Sequence, residues 1–288
     1  MQDFLHQLAS GIVSGSFYGG FALALVMVHR ATGHLNFAQG EMATLTAFLA
    51  FTALQLGLPF WLAALIASVV AFFLGAITEA LIMRPFATKA QIRLVIVTIG
   101  LFMLLNGSSG FIFGFSTQTV PSPFPDSWAS DYLSAHDTGS LIVVGAMVVV
   151  LFVVFRFTEF GLAMKAAALN PTSSRLVGIN VELMRAIGWG IAGIIGNIVG
   201  LLVAPAIFLE PNMLLGVLVY GFAAALVGGI DNPWGAAVGG IIVGVAENLV
   251  GAYVVGTELK LSVALSLIIL VLLLRPQGIF GHRSVKRV

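Results

Sequence analysis

Apolar residues run along this chain in long blocks, broken only by short clusters of charge, glycine and proline. Reading between those breaks gives nine blocks, at about 12–30, 38–56, 61–83, 94–115, 140–156, 184–205, 214–230, 234–255 and 261–275. A membrane-spanning helix needs roughly 20 mostly apolar residues, and most of these blocks reach that length. Two of the breaks are very short: Gly33-His34-Leu35-Asn36 and Gly229-Ile230-Asp231-Asn232-Pro233. They are too brief to settle whether they are loops or re-entrant turns, and 31–40 and 229–235 stay open on that point. The pattern predicts an all-α, polytopic transmembrane bundle of about 8–9 spans or re-entrant segments, forming one domain over 1–288. Met1-Gln2-Asp3-Phe4-Leu5-His6 carries no basic region ahead of the first block, unlike a cleaved signal peptide. The first block is therefore expected to be retained as a span.

Composition sharpens this reading. Of 288 residues, 59% are apolar and 9% charged, and mean hydropathy is +1.06. Soluble domains average about 45–50% apolar and about 25% charged. A soluble enzyme, a nucleic-acid binder and a secreted disulfide scaffold are excluded, the last also because cysteine is absent. Glycine is abundant, at 33 residues, and small residues recur four apart: Gly11, Gly15 and Gly19; Gly188, Ala192, Gly196 and Gly200; Gly235 and Gly239; Gly240 and Gly244. Residues four apart share a helical face, and small ones let two backbones approach closely. Either simple close packing or helices that slide during a transport cycle would use them.

The net charge of +1 says nothing about a partner, but the placement of charge sets an orientation. Arg30, then Arg84, Lys89 and Arg93, then Arg156, Lys165, Arg175 and Arg185, then Arg275, Arg283, Lys286 and Arg287 fall on one side. Of the thirteen basic residues only Lys260 falls on the other. That opposite side holds Asp3, the loop 116–139 with Asp126, Asp131 and Asp137, and Glu210 and Glu258. Cytosolic loops are the basic ones, so the N-terminus is expected outside and the C-terminus in the cytosol.

Three features carry candidate chemistry. The first is the cytosolic stretch 156–183, whose block Leu162 to Leu169 reads as a helix closed by Asn170-Pro171. Proline suits a first helical turn and asparagine an N-cap, so a second short helix is expected to start there. A structured helix–turn–helix fits a docking element for a cytosolic subunit better than a solvated linker. The second is His34-Leu35-Asn36-Phe37-Ala38-Gln39-Gly40-Glu41, where Asn36 is expected as N-cap with Gln39 completing a capping-box-like pair. Glu41 then falls in the early turns, where the helix dipole favours a carboxylate. A carboxylate this near the membrane interior marks a substrate path, a subunit contact or a pinned helix start. The third is Glu247, mid-span beside Asn248, which reads equally as a pore residue or a buried hydrogen-bonding partner. Glu79 is read as a rim charge near Arg84. No lysine follows a glycine, so there is no phosphate-binding P-loop, and neither a zinc-protease motif nor a nucleophile elbow occurs. No catalytic residue and no metal site is assigned.

Four stretches, in order, resemble a known family. They are Asn36-Phe37-Ala38-Gln39-Gly40-Glu41, Arg175-Leu176-Val177-Gly178-Ile179-Asn180, Val227-Gly228-Gly229-Ile230 through Gly239-Gly240 to Ala246-Glu247, and Arg275-Pro276-Gln277-Gly278-Ile279-Phe280-Gly281. Over about residues 8–281 the chain is similar to LivH-type permease subunits of branched-chain amino acid ABC transporters. The resemblance implies an importer-permease fold and no cofactor bound by this chain, with ATP and Mg2+ used by partners. Those partners would be a second, homologous (LivM-like) permease, two cytosolic ATPases (LivG-like and LivF-like) and a periplasmic substrate-binding protein, in a bacterial inner membrane. It implies that Gly161, Lys165, Ala166, Ala167, Asn170, Arg175 and Gly178 belong to an ATPase-coupling loop. Asn36, Phe37, Gln39, Glu41, Gly228, Gly229 and Glu247 are the translocation-path candidates. The sequence departs from the family's common pattern at Gln39, where histidine is usual, and near Asn170, where an acid is usual.

The expected function is therefore a permease subunit of an ATP-driven importer for branched-chain or other hydrophobic amino acids. The same architecture for urea, short amides or small organic acids is an alternative. A stand-alone secondary carrier or channel is another, with only Glu41 and Glu247 as coupling groups.

Overall fold

The computed structural model describes residues 2–86 and 91–281; Lys89, Arg283, Lys286 and Arg287, used above for orientation, lie outside the described residues. Every predicted apolar block is helical. The long helices are α1 (Gln2–Thr32), α2 (Gln39–Gln55), α3 (Phe60–Ile77), α4 (Gln91–Phe113), α5 (Ala135–Phe157), α8 (Val181–Ile207), α9 (Leu214–Gly228), α10 (Pro233–Val250) and α11 (Lys260–Leu274). Between α5 and α8 stand the short α6 (Glu159–Leu169) and α7 (Pro171–Leu176). Among the described residues, six helical segments are long and apolar enough to cross a membrane: Gln2–Thr32, Phe60–Phe86, Ile92–Phe113, Ala135–Phe157, Val181–Ile207 and Pro233–Val255. Leu214–Gly228 and Lys260–Leu274 are shorter apolar helices.

Local chemistry explains the ends. Helix α1 carries Asp3 in its first turn and His29 and Arg30 in its last, matching the sign of the helix dipole at each end. At α6 the Thr158 hydroxyl accepts from Gly161 N at 3.2 Å. The second short helix starts where the sequence places it, with Pro171 at its first position and Asn170 Oδ1 accepting from Ser173 N at 3.0 Å. Asn180 caps α8 by accepting from Leu183 N at 2.9 Å.

Helix α3 runs on through a π-helical turn, Thr78–Met83, into a 3-10 turn, Arg84–Phe86. The wider π pitch brings residues five apart onto one face, and Arg84 Nη2 sits 2.6 Å from Glu79 Oε2. Glu79 is 1% exposed, so it is a buried, paired carboxylate rather than the rim charge expected. Arg84 also donates to the Glu182 carbonyl at 3.3 Å, tying the end of α3 to the start of α8.

The contacts divide the chain into two compact units. The first comprises residues up to 26, 124–145 and 217 onward; the second comprises 27–123 and 146–216. In the first, α1 and α10 meet through the small residues spaced four apart. A Cβ on Gly15 would lie 2.7 Å from Gly240 O, one on Gly19 2.7 Å from Ala237 O, and one on Gly11 2.9 Å from Val245 Cα. Backbone touches backbone along the whole contact, as the spacing requires. In the second unit α3 and α8 run antiparallel. Asn197 Nδ2 donates to Ser68 Oγ at 3.0 Å, and the Gly193 and Gly75 positions abut the carbonyls of Ala71 and Trp189. Helix α2 runs parallel to α8: Gln39 Nε2 donates to Ala192 O at 2.9 Å, and Gly200 faces the Ala43 carbonyl.

Candidate functional site

The break between α1 and α2 lies in the middle of the second unit. Ala192, its partner on α8, is eleven residues beyond Val181, about 17 Å along the helix axis at 1.5 Å per residue. About 22 Å of α8 remains beyond that point. The break is thus level with the centre of a helix long enough to span, which places it inside the apolar layer. Trp189 holds its near end, donating from Nε1 to Thr32 Oγ1 at 3.3 Å, with its ring 5.9 Å from that of His34. Gly33 has φ 79°, a conformation glycine adopts without the steric cost other residues meet.

The expected capping box does not form. Helix α2 starts at Gln39, and its N-cap, Ala38, has no side-chain cap. Asn36 instead folds back on the break: its Oδ1 accepts from Ala38 N at 3.0 Å and its Nδ2 donates to Gln39 Oε1 at 3.2 Å. The reason is that Gln39 is drawn away to α8. Its amide bridges Asn36 on one side and the Ala192 carbonyl on the other, so it cannot reach back to the start of its own helix. Asn36, Gln39 and Glu41 are all buried, and Phe37 is partly buried.

Glu41 occupies the first turn of α2 and is 1% exposed. It accepts from Asn106 Nδ2 of α4 at 3.2 Å. The same Asn106 nitrogen lies 3.3 Å from the Pro211 carbonyl and 2.9 Å from Asn212 Oδ1. Those last two residues belong to 208–213, where the chain leaves α8 and turns back. The turn is made at Phe208, a non-glycine residue at φ 67°, and is pinned by mutual backbone hydrogen bonds between Leu209 and Gln118, both 2.9 Å. A non-glycine residue at positive φ costs of order 1–3 kcal/mol and persists only where its surroundings hold it.

Glu247 has different neighbours. It is buried on α10 in the first unit beside Tyr18 and Tyr220, and its Oε2 has no hydrogen-bond partner. The two tyrosine rings stack at 4.5 Å. Next to it, Asn248 Oδ1 accepts from Lys260 Nζ at 2.7 Å. Gly228 and Gly229 are far along the chain from Glu247 and are packing positions. Gly228 abuts the Gly235 backbone, and Gly229, at φ 109°, lies against the Gly281 backbone.

A family model described as the permease component of branched-chain amino acid transport systems matches residues 7–274. The chain belongs to this permease family. It is 30% identical over 303 residues to the high-affinity branched-chain amino acid transport permease LivH of Salmonella typhimurium, covering 99% of this chain and 98% of that one. It is 31% identical over 312 residues to the corresponding permease BraD of Pseudomonas aeruginosa, again over 99% and 98%. The xylose/arabinose import permease XylH of Sulfolobus acidocaldarius is 28% identical over 169 residues, 58% of this chain and 43% of that one. Among solved structures, PsaBC from Streptococcus pneumoniae in complex with a Fab superposes with a TM-score of 0.52 at 14% identity, over 94% of this chain and 93% of that one. That last likeness concerns the fold alone.

In this permease the predicted loop residues divide by exposure. Gly161 and Ala167 face inward; a Cβ on Gly161 would lie 2.6 Å from Phe155 Cα and Phe155 O. Lys165, Asn170, Arg175 and Gly178 are exposed, and Ala166 is intermediate. Leu162, Leu169, Leu176 and Val177 were missed as candidates and are 69–84% exposed. Four large aliphatic side chains on a polar loop are the signal that the sequence carried. Asn106, Asn212, Tyr18 and Tyr220 were missed too, because each is a single polar residue within or beside an apolar block.

Proposed function

We propose that this chain is a membrane-spanning permease subunit of an ATP-driven importer, carrying branched-chain or other hydrophobic amino acids delivered by a periplasmic binding protein. ATP hydrolysis with Mg2+ belongs to two cytosolic ATPase subunits, and a second homologous permease completes the conduit. The N-terminus is periplasmic and the C-terminus cytosolic, in the bacterial inner membrane, and 156–183 is the coupling loop within a single permease domain. Family membership supports the permease role, and the names of the relatives support the cargo.

The observation that carries the coupling role is where α6 touches α8 and the end of α1. A Cβ on Gly188 would meet Met164 Cε of α6 at 3.1 Å and Ala31 Cβ of α1 at 2.6 Å. Gly188 adjoins Trp189, which holds Thr32 at the break before Glu41. Motion of α6 is therefore passed by direct contact to the broken helix in the membrane interior. The outer face of the loop offers Leu162 and Leu169 as apolar anchors, and leaving such residues in water has no structural benefit.

The test is Leu162→Glu with Leu169→Glu in the complete transporter. Both side chains point away from the bundle, so the variant is expected to insert and keep its thermal midpoint. Leucine uptake is expected to fall by more than about tenfold, a loss of at least ~1.4 kcal/mol of interaction. Uptake at the wild-type rate would remove the loop from the coupling path.

A further inference from the structure

The surroundings of Asn106 are short of hydrogen-bond donors. A side-chain amide has two N–H groups. Three acceptors converge on this one nitrogen: the Glu41 carboxylate, the Pro211 carbonyl and Asn212 Oδ1. A carboxylate alone offers about four lone-pair positions. Glu41 is almost fully buried, where an undersatisfied carboxylate is costly.

Two more buried oxygens lie one turn further along the same two helices. Helices α2 and α4 contact at Glu41 and Asn106, and again at Phe48 and Phe113, whose rings stack at 4.7 Å. The numbering offset between partners is the same at both contacts, so the helices run parallel and in step. Midway between lie Thr44 on α2 and Ser109 on α4, one turn beyond Glu41 and Asn106. Both are 0% exposed, and neither hydroxyl oxygen has a hydrogen-bond partner. Buried polar groups are ordinarily satisfied, and each exception needs an explanation.

We infer that Glu41, Asn106, Asn212, Thr44 and Ser109 form a binding site for a primary ammonium group, the amino end of the cargo in transit. An R–NH3+ group brings three donors and one positive charge. That supplies what a buried carboxylate, a carbonyl, an amide oxygen and two idle hydroxyls lack. In the apolar layer the charge pair is also stronger than in water. Asn212 is exposed, so the acceptors lead from the surface inward to the buried Glu41. The inference rests on the amino-acid importer reading and adds the residues that select for the amine.

Saturation-transfer NMR on the complete transporter in lipid nanodiscs tests it, with leucine, 3-methylbutylamine (no carboxylate) and 4-methylpentanoate (no amine) as probes. The amine is expected to bind about as well as leucine, and the acid about tenfold more weakly or worse. Glu41→Gln is expected to reduce amine binding about tenfold. Thr44→Val with Ser109→Ala is expected to weaken amine binding while leaving the thermal midpoint unchanged or raised, because removing an unpartnered buried hydroxyl removes a structural cost. A merely structural role would lower that midpoint. Acid binding equal to amine binding, amine binding retained in Glu41→Gln, or sodium ions displacing the amine would each overturn the site. Leucine uptake that is untouched by Glu41→Gln would refute the site and leave the importer reading standing. Amine binding without leucine uptake by the wild type would keep the site and refute the cargo.

Discussion

Each unit of this permease contains a glycine break followed by a helix with one buried carboxylate, yet the two carboxylates are treated differently. In the first unit the break 229–232 is sealed by the chain's own C-terminal segment. Ile279 N donates to Val227 O at 2.8 Å, Phe280 N to Gly228 O at 3.1 Å and Asn232 Nδ2 to Phe280 O at 3.1 Å. Glu247 stands three to four turns further on, where two phenols surround it. In the second unit the break 33–38 is held at its ends by Trp189 and Gln39, and Glu41 follows within the first turn, among acceptors. The same motif thus makes a closed joint in one place and a donor-seeking pocket in the other. What separates them is the neighbours: Glu247 stands beside two tyrosines, with its Oε2 left without a hydrogen-bond partner, whereas Glu41 shares the Asn106 amide with the Pro211 and Asn212 oxygens.

The largest expected effect tests the packing of the first unit. In the first unit α1 and α10 meet backbone to backbone, and a Cβ on Gly244 would run into the Gly15 backbone. Backbone cannot give way as a flexible side chain does. Gly244→Ala is expected to destabilise the permease by about 3 kcal/mol, at the upper end for overpacking, read as a fall in the thermal midpoint in detergent. A loss below ~1 kcal/mol would mean that the two helices slide apart at little cost, and the small-residue spacing would then serve motion rather than packing.

A middle-sized effect sharpens the contrast between the carboxylates. Glu247→Gln weakens hydrogen bonding with the neighbouring Tyr18 and Tyr220, about 1 kcal/mol per bond, while the buried Oε2 has no hydrogen-bond partner to lose. The net expected loss is about 1–2 kcal/mol of stability, with the preference for amine over acid probes unchanged. Glu41→Gln is expected to do the reverse. If Glu247→Gln abolished the amine preference and kept the stability, the roles of the two units would have to be exchanged.

How far the sequence made this legible depends on the range of the interaction. The α6–α7 corner was readable because proline geometry and an asparagine cap act over three residues, Asn170 to Ser173. The apolar blocks were readable because lipid imposes a length. The capping box at Asn36 was misread because a contact to Ala192, distant in sequence, outcompeted the local one for Gln39. Glu79 was misread because its place near a helix end beside Arg84 suggested exposure, whereas it is buried and paired with Arg84 across a π turn. The donor-poor site was only half legible. Glu41 and its motif stood out, whereas Asn106 is one amide in an apolar block, and nothing local announces that it faces Glu41.

The smallest expected effect concerns a glycine of the opposite kind. Gly100 lies in α4 with nothing within 4 Å of an added Cβ, and neighbouring Ile96, Ile99, Met103 and Leu104 are 45–68% exposed. Glycine in a helix interior costs about 0.5–1 kcal/mol relative to alanine, so Gly100→Ala is expected to stabilise the isolated subunit by about that amount. The glycine then has no role in the packing of its own chain, in contrast to Gly244. Its use, if any, lies in letting another helix approach α4. Measuring the same variant in the complete transporter separates the two outcomes. A gain that persists in the complex places this face of α4 against lipid. A gain that turns into a loss on assembly places it against a partner subunit, where a methyl group has no room.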